Sequence, residues 1–225
     1  MAEPVANRGA KPVAVSDAEP LLVFPCNGNA LEAIDCLGDA HRLIAFIDDT
    51  AAKQGTTVAG YPVAGRDLLI RQPAARVLAV PGSPTSYRGR RHLIEGLGVT
   101  AERFARVIHP TARVSPLAEI GHNVLIMAGV VITSNARIGD HVCILPNTVI
   151  HHDTVVGAWS LIGACVSIAG GCVIGQNCYV ASGTSIIHGV ELGAECLVGL
   201  GANVIRSVAP GARVAGNPAR PLGSV

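Results

Sequence analysis

From Ile108 onward an aliphatic residue returns at every sixth position: Ile108, Val114, Ile120, Ile126, Ile132, Ile138, Ile144, Ile150 and Val156, then Ile162, Ile168, Ile174, Val180, Ile186, Leu192, Val198 and Val204. That makes 17 consecutive aliphatics, (204 − 108)/6 + 1, without one insertion. Four residues after each stands only Ala, Val, Thr, Ser or Cys. A period of six is neither the spacing of a helix face nor the alternation of a half-buried strand. It is the signature of a parallel β-helix of hexapeptides, each repeat one short strand plus one corner. Three repeats close a triangular coil of 18 residues. The aliphatic points into the prism, and the small residue packs near the corner. Successive coils stack about 4.8 Å apart, as strands do in any sheet.

A prism this thin has little room for bulk, and the chain supplies little: 3% of residues are aromatic, against 49% apolar and 26 glycines. Lys plus Arg number 17 and Asp plus Glu 16, so no nucleic-acid or anionic-membrane footprint is expected. No apolar run approaches the ~20 residues of a spanning helix. Residues 1–19 lack an apolar signal core and read as a flexible tail. Seven cysteines without a CxxC pair fit free thiols in a reducing cytoplasm. Cys172, Cys178 and Cys196 all fall on the small-residue position, as compact fillers rather than zinc ligands. Pro210 ends the register, so 108–209 is the expected β-helix and 210–225 a closing loop, cap and tail.

The 18-residue coil also stacks side chains into ladders. His152 shares one with Ser134, Gly170, His188 and Arg206, and Asp153 the next with Asn135, Gly171 and Gly189. The imidazole is therefore expected to face a shallow trough with no side chain above it, wide enough for a slender ligand.

Residues 20–107 lack the six-residue period. LLVFPC, HRLIAFIDD and RVLAVPG read as strands, NALEAIDCLGD and SYRGRRHLIEGLG as helices. The alternation predicts a Rossmann-like parallel α/β sheet, in which ligands bind past the carboxyl ends of the strands. Those ends are Cys26-Asn27-Gly28-Asn29, Asp48-Asp49 and Pro81-Gly82-Ser83. Asn27-Gly28 lacks the spacing of a dinucleotide fingerprint. A bland reading competes, with Gly28 and Gly82 merely turning the chain and Asp48-Asp49 capping a loop.

The ordered set FIDD, VAGYPVAG, VIHPTARVSPLAEIG, the HHD within the repeats and a final GNPAR resembles the bacterial hexapeptide-repeat sugar acyltransferases. These include the sialic-acid O-acetyltransferases and the N-acetyltransferases of nucleotide-linked 4-amino-4,6-dideoxysugars. The resemblance spans roughly 20–222. It implies a left-handed β-helix, a homotrimer with acetyl-CoA lying between subunits, a nucleotide-linked amino sugar held by the front domain, and no metal. It puts the general base on His152 and its acidic neighbour on Asp153. Substrate binding falls on Asn27, Gly28, Asn29, Asp48, Asp49 and Gly82, and acetyl-CoA binding on Leu161, Gly170, Ser182 and Leu200. The chemistry suits the residue types: an amine attacking a thioester must lose a proton, and a neutral imidazole accepts it near neutral pH. A carboxylate beside the ring fixes its tautomer. Three segments depart from the family pattern. Gly28-Asn29-Ala30 replaces a Gly-His-Gly, Leu161 replaces a common His, and LPNT replaces NTGA just before the catalytic coil.

Three rival readings compete. O-acetylation would use the same base and cofactor. A zinc lyase of the γ-carbonic-anhydrase type would draw on His152 and His188, but Gly193 stands where a third ligand is needed. A non-catalytic scaffold gives no reason for Asp153 beside His152. The expectation is direct N-acetyl transfer from acetyl-CoA.

Overall fold

The computed structural model describes residues 18–222. Most of the expected tail, residues 1–17, and the last three residues lie outside the described range. The front domain runs β1 (Glu19–Phe24), α1 (Gly28–Glu32), β2 (His41–Ile47), β3 (Thr57–Val58), β4 (Tyr61–Ala64), α2 (Asp67–Arg71), β5 (Arg76–Ala79) and α3 (Arg90–Glu95). Its sheet has the order β3-β4-β2-β1-β5, parallel except for the β3–β4 hairpin. The strand β1 takes in Glu19, the last residue assigned to the tail. Leu21, Leu22, Val23 and Phe24 are all buried, as expected of a parallel strand covered on both faces. Leu21 and Val23 pack towards α1 and the β-helix, Leu22 and Phe24 towards α2 and α3.

The remainder is a left-handed parallel β-helix. Its first face stacks Arg106–Ile108, Val124–Ile126, Cys143–Ile144, Leu161–Ile162, Tyr179–Val180 and Leu197–Val198. The second stacks strands from Arg113–Val114 to Asn203–Val204, and the third from Glu119–Ile120 to Glu191–Leu192. From Ile126 to Val204 every sixth aliphatic is buried, while Ile108 at the open end is 39% exposed. Several of the small residues also donate a hydrogen bond to a carbonyl one coil on. Thr148 Oγ1 reaches Gly163 O at 2.6 Å, and Cys178 Sγ reaches Gly193 O at 3.2 Å. The cysteines are free, and the interior thiols serve as donors as well as fillers.

The ladder does not stop at Pro210. After a turn, Arg213–Ala215 adds in parallel to Leu197–Val198, and Arg220–Pro221 returns antiparallel to it. The cap thus closes the prism by extending its first face.

That first face carries the front domain. Leu125, Met127, Cys143, Leu145, Leu161, Tyr179 and Leu197 project outward and share a core with Leu21, Val23, Leu78 and Tyr87. The adjoining corner, between third and first faces, is riveted by polar contacts. Asn123 donates to Ala79 O and accepts from Ala79 N, and Tyr87 Oη donates to Glu195 O.

Candidate active site

From Asn123 to Gly201 each corner of the prism turns through one residue in the left-handed region, which suits Gly, Asn and Asp. Between second and third faces those residues are Asn135 (φ 60°), Asp153 (59°), Gly171 (67°) and Gly189 (70°). Asp153 therefore occupies a position where an Asp is at home for conformational reasons alone. Its contacts go further. Oδ2 lies 2.7 Å from His152 Nδ1, and Oδ1 accepts from Asn135 Nδ2 at 3.0 Å. These two hydrogen bonds, His152 first, hold the Asp153 carboxyl below the usual carboxylate range. The ionised carboxylate thus accepts a hydrogen bond from Nδ1–H, and Nε2 is left as the accepting nitrogen.

The expected open trough is not there. A Cβ on Gly170 would stand 2.6 Å from both Cε1 and Nε2 of His152, so the ring itself covers that glycine. His188 covers Gly171 in the same way, 3.3 Å from the corresponding position. The glycines seat the rings, and what faces solvent is an imidazole edge with 57% of its side chain exposed.

A second constellation lies across the prism. Asn29, Gly82, Ser83 and Pro84 of the front domain meet Leu145, Leu161 and Tyr179 of the first face around a cleft of about 230 Å³. Asn27 caps α1, accepting from Ala30 N at 2.9 Å and donating to Val80 O at 3.3 Å, and so ties the first turn to the end of β5. Gly28 beside it is open. Gly82 has φ 124°, and a Cβ there would sit 2.8 Å from Leu161 Cδ1, so backbone and packing both call for glycine. Asn29, Leu145 and Leu161, from the three segments that depart from the family pattern, converge on this one cleft.

The two acids after β2 are already engaged. Asp48 is 3% exposed and accepts from Cys26 N, Thr50 N and Lys53 Nζ at 3.1, 2.9 and 2.9 Å. Burial alone would raise its pKa, but Lys53 and Thr50 outweigh that and hold the carboxyl below its ordinary value. Asp49 forms a two-pronged pair with Arg66, both contacts at 2.7 Å.

The four positions implied for acetyl-CoA divide between two edges. Gly170 lies beneath His152, while Ser182 and the 78%-exposed Leu200 stack at the corner between first and second faces, next to Leu161. Asn135 had no assigned role, although the 18-residue ladder already placed it under Asp153. No group of three or more His, Cys, Asp or Glu side chains fit to hold a metal occurs among the described residues.

A family model described as the GMPPB C-terminal domain matches residues 104–189. No curated protein matches the chain. Among solved structures, a mutant of GDP-perosamine N-acetyltransferase from Caulobacter crescentus, in complex with CoA and GDP-perosamine, superposes with a TM-score of 0.82 at 28% identity, covering 92% of this chain and 98% of that one. The acetyltransferase domain of PglB from Neisseria gonorrhoeae gives 0.78 at 27%, covering 91% and 100%. WeeI from Acinetobacter baumannii gives 0.79 at 27% with the same coverage.

Proposed function

We propose that the chain works as one of the hexapeptide-repeat sugar acyltransferases and moves an acetyl group from acetyl-CoA to the amine of a nucleotide-linked 4-amino-4,6-dideoxyhexose. The observation that carries the mechanism is the chain Asn135–Asp153–His152, which leaves Nε2 of an exposed side chain free of hydrogen bonds among the described residues. The amine nitrogen attacks the thioester carbonyl, His152 Nε2 takes the amine proton, the C–S bond breaks, and the thiolate recovers a proton from the imidazolium. Asp153 orients the ring and offsets its transient charge. No covalent enzyme intermediate is needed.

The nucleotide sugar enters at the strand ends of the front domain, with Asn27, Gly28, Asn29 and Gly82 at the mouth of the cleft and Asp48 and Asp49 shaping the loop beside it. Acetyl-CoA runs along the coils past Gly170, Leu161, Ser182 and Leu200. The front domain sits on the first face, and His152 on the corner opposite it. One chain cannot bring its own base to its own cleft, so the working unit is a homotrimer with each site shared by two subunits. Free thiols suit the reducing cytoplasm as its location.

The test is thiol release from acetyl-CoA against GDP-, UDP- and dTDP-linked 4-amino-4,6-dideoxysugars. One member of the panel should give a strong signal. Silence across the panel from a folded oligomer, with turnover of hydroxyl acceptors instead, would replace N- by O-acetylation.

A further inference from the structure

The junction between front domain and β-helix contains a charged side chain wholly removed from solvent. Arg90, the first residue of α3, is 0% exposed. Its Nη1 donates to Pro81 O, its Nη2 to His141 O, and its Nε to Trp159 O at 3.2 Å. All three acceptors are neutral carbonyls. Burial lowers the guanidinium pKa to about 10, which still leaves it charged at neutral pH.

Stability alone is a poor reason for this arrangement. A buried cation without an anionic partner is expensive, and an apolar side chain of similar size would fill the same space at lower cost. What the guanidinium does that an apolar group cannot is reach three separate segments at once, through donors fixed in one plane. Pro81 precedes Gly82, in the front wall of the cleft. His141 and Trp159 are left-handed corner residues of consecutive coils, their rings stacked at 3.9 Å and 10°. The strand leading on from Trp159 carries Leu161, in the cleft's back wall. A Cβ on Gly82 would lie 2.8 Å from Leu161 Cδ1 and 3.6 Å from Arg90 Cδ, so cation, loop and back wall are in register at one point.

We infer that Arg90 is a positioning residue for the transfer reaction: it holds the Pro81–Ser83 loop against the β-helix and so sets the width and aim of the Gly82–Leu161 cleft, touching neither substrate. The inference rests on the acyl-transfer reading above.

The test is steady-state kinetics of Arg90→Lys and Arg90→Met, in the whole protein, with the nucleotide sugar that the wild type turns over. KM for the nucleotide sugar should rise about 10- to 100-fold, the usual effect of a slightly misplaced binding group, while KM for acetyl-CoA stays within about threefold. Arg90→Ala, which leaves a cavity, should recover part of its sugar affinity when methylguanidinium is added at a non-denaturing concentration. A nucleotide-sugar KM unchanged in both variants would overturn the inference and leave the acyl-transfer reading intact. So would both KM values rising together, or all three variants failing to fold, because Arg90 would then be a stabilising residue only. A folded wild type inactive on every amino sugar would remove both readings.

Discussion

At Asp153, beside His152, two simple reasons for a residue's presence meet, the conformation of the corner and the catalytic role proposed above. Asp153 is conformationally apt for its corner, as Asn135 is one coil earlier; the 2.7 Å contact to Nδ1 and the 3.0 Å contact from Asn135 are what a turn does not require. The ladder put these residues in line from the sequence, and the resemblance supplied their roles. The sequence did not tell where the ring would lie, because that depends on a rotamer rather than on a period. Its resting place on Gly170 gives a test of position separate from a test of chemistry. His152→Ala should lower turnover by ~10²–10⁴, the usual worth of a general base. Gly170→Ala keeps the imidazole but pushes it from its seat. Its rate should fall by about 10- to 100-fold, as a displacement near 1 Å does. The fold should tolerate the change, since the atoms displaced end a mobile side chain. Measuring kcat together with the melting temperature distinguishes the two effects. If Gly170→Ala has full activity, the ring's seat is irrelevant to catalysis.

Among the elements, the coils were legible almost completely and the corners only in part. Every sixth residue is a strong signal because each strand sends one aliphatic into the prism interior. The corners face outward and their side chains obey no period of hydropathy, so the 18-residue ladder set His141 beside Trp159 without telling that the two rings would stack and be covered. His141 stacks on Trp159, meets Phe104 edge-on and lies 3.0 Å from Asn123 Nδ2. Burial, aided by the neighbouring Arg90 charge, lowers its pKa to about 4. An unfolded chain would bind that proton near the ordinary histidine value of ~6.5. Between those two values the unfolded state holds more protons than the native one, so stability is full above ~6.5 and falls as pH drops towards about 4. His141→Asn suits the left-handed corner and does not titrate. Urea midpoints for wild type and variant, followed from neutral pH down to about 4.5, should give a flatter line for the variant even though its midpoint at neutral pH is lower. Parallel lines would mean that His141 is protonated in the folded protein.

For the molecule as a whole, the two domains were legible separately and their joint was not. A partial signal existed: the residue preceding the buried aliphatic is apolar on every coil of one face, as Leu125, Cys143, Leu161, Tyr179 and Leu197, while the same place on the other faces mixes Arg113, Ser167, Asn203, Glu119 and Arg137 with Val131, Val149, Val155 and Val173. Reading the outward positions face by face would have located the docking surface. Arg90 would still have escaped, because an arginine in a short, charged helix looks like a solvated one. The joint decides how the molecule works, since it fixes the cleft against the first face and leaves His152 at the opposite corner. On the function proposed above, a base and a cleft held apart in one chain become one site when a second copy brings its cleft to the first copy's base. Chains carrying His152→Ala and chains carrying Gly82→Ala should each assemble into inactive trimers. Co-assembled at equal ratio, an interface is complete when a Gly82→Ala chain supplies the base and its neighbour, a His152→Ala chain, supplies the cleft. Random mixing gives that pairing at about a quarter of the interfaces in a cyclic trimer, so about a quarter of wild-type activity should return. If base and cleft come from the same chain, every site in the mixture carries a defect. The mixed trimers would then show no more activity than their parents.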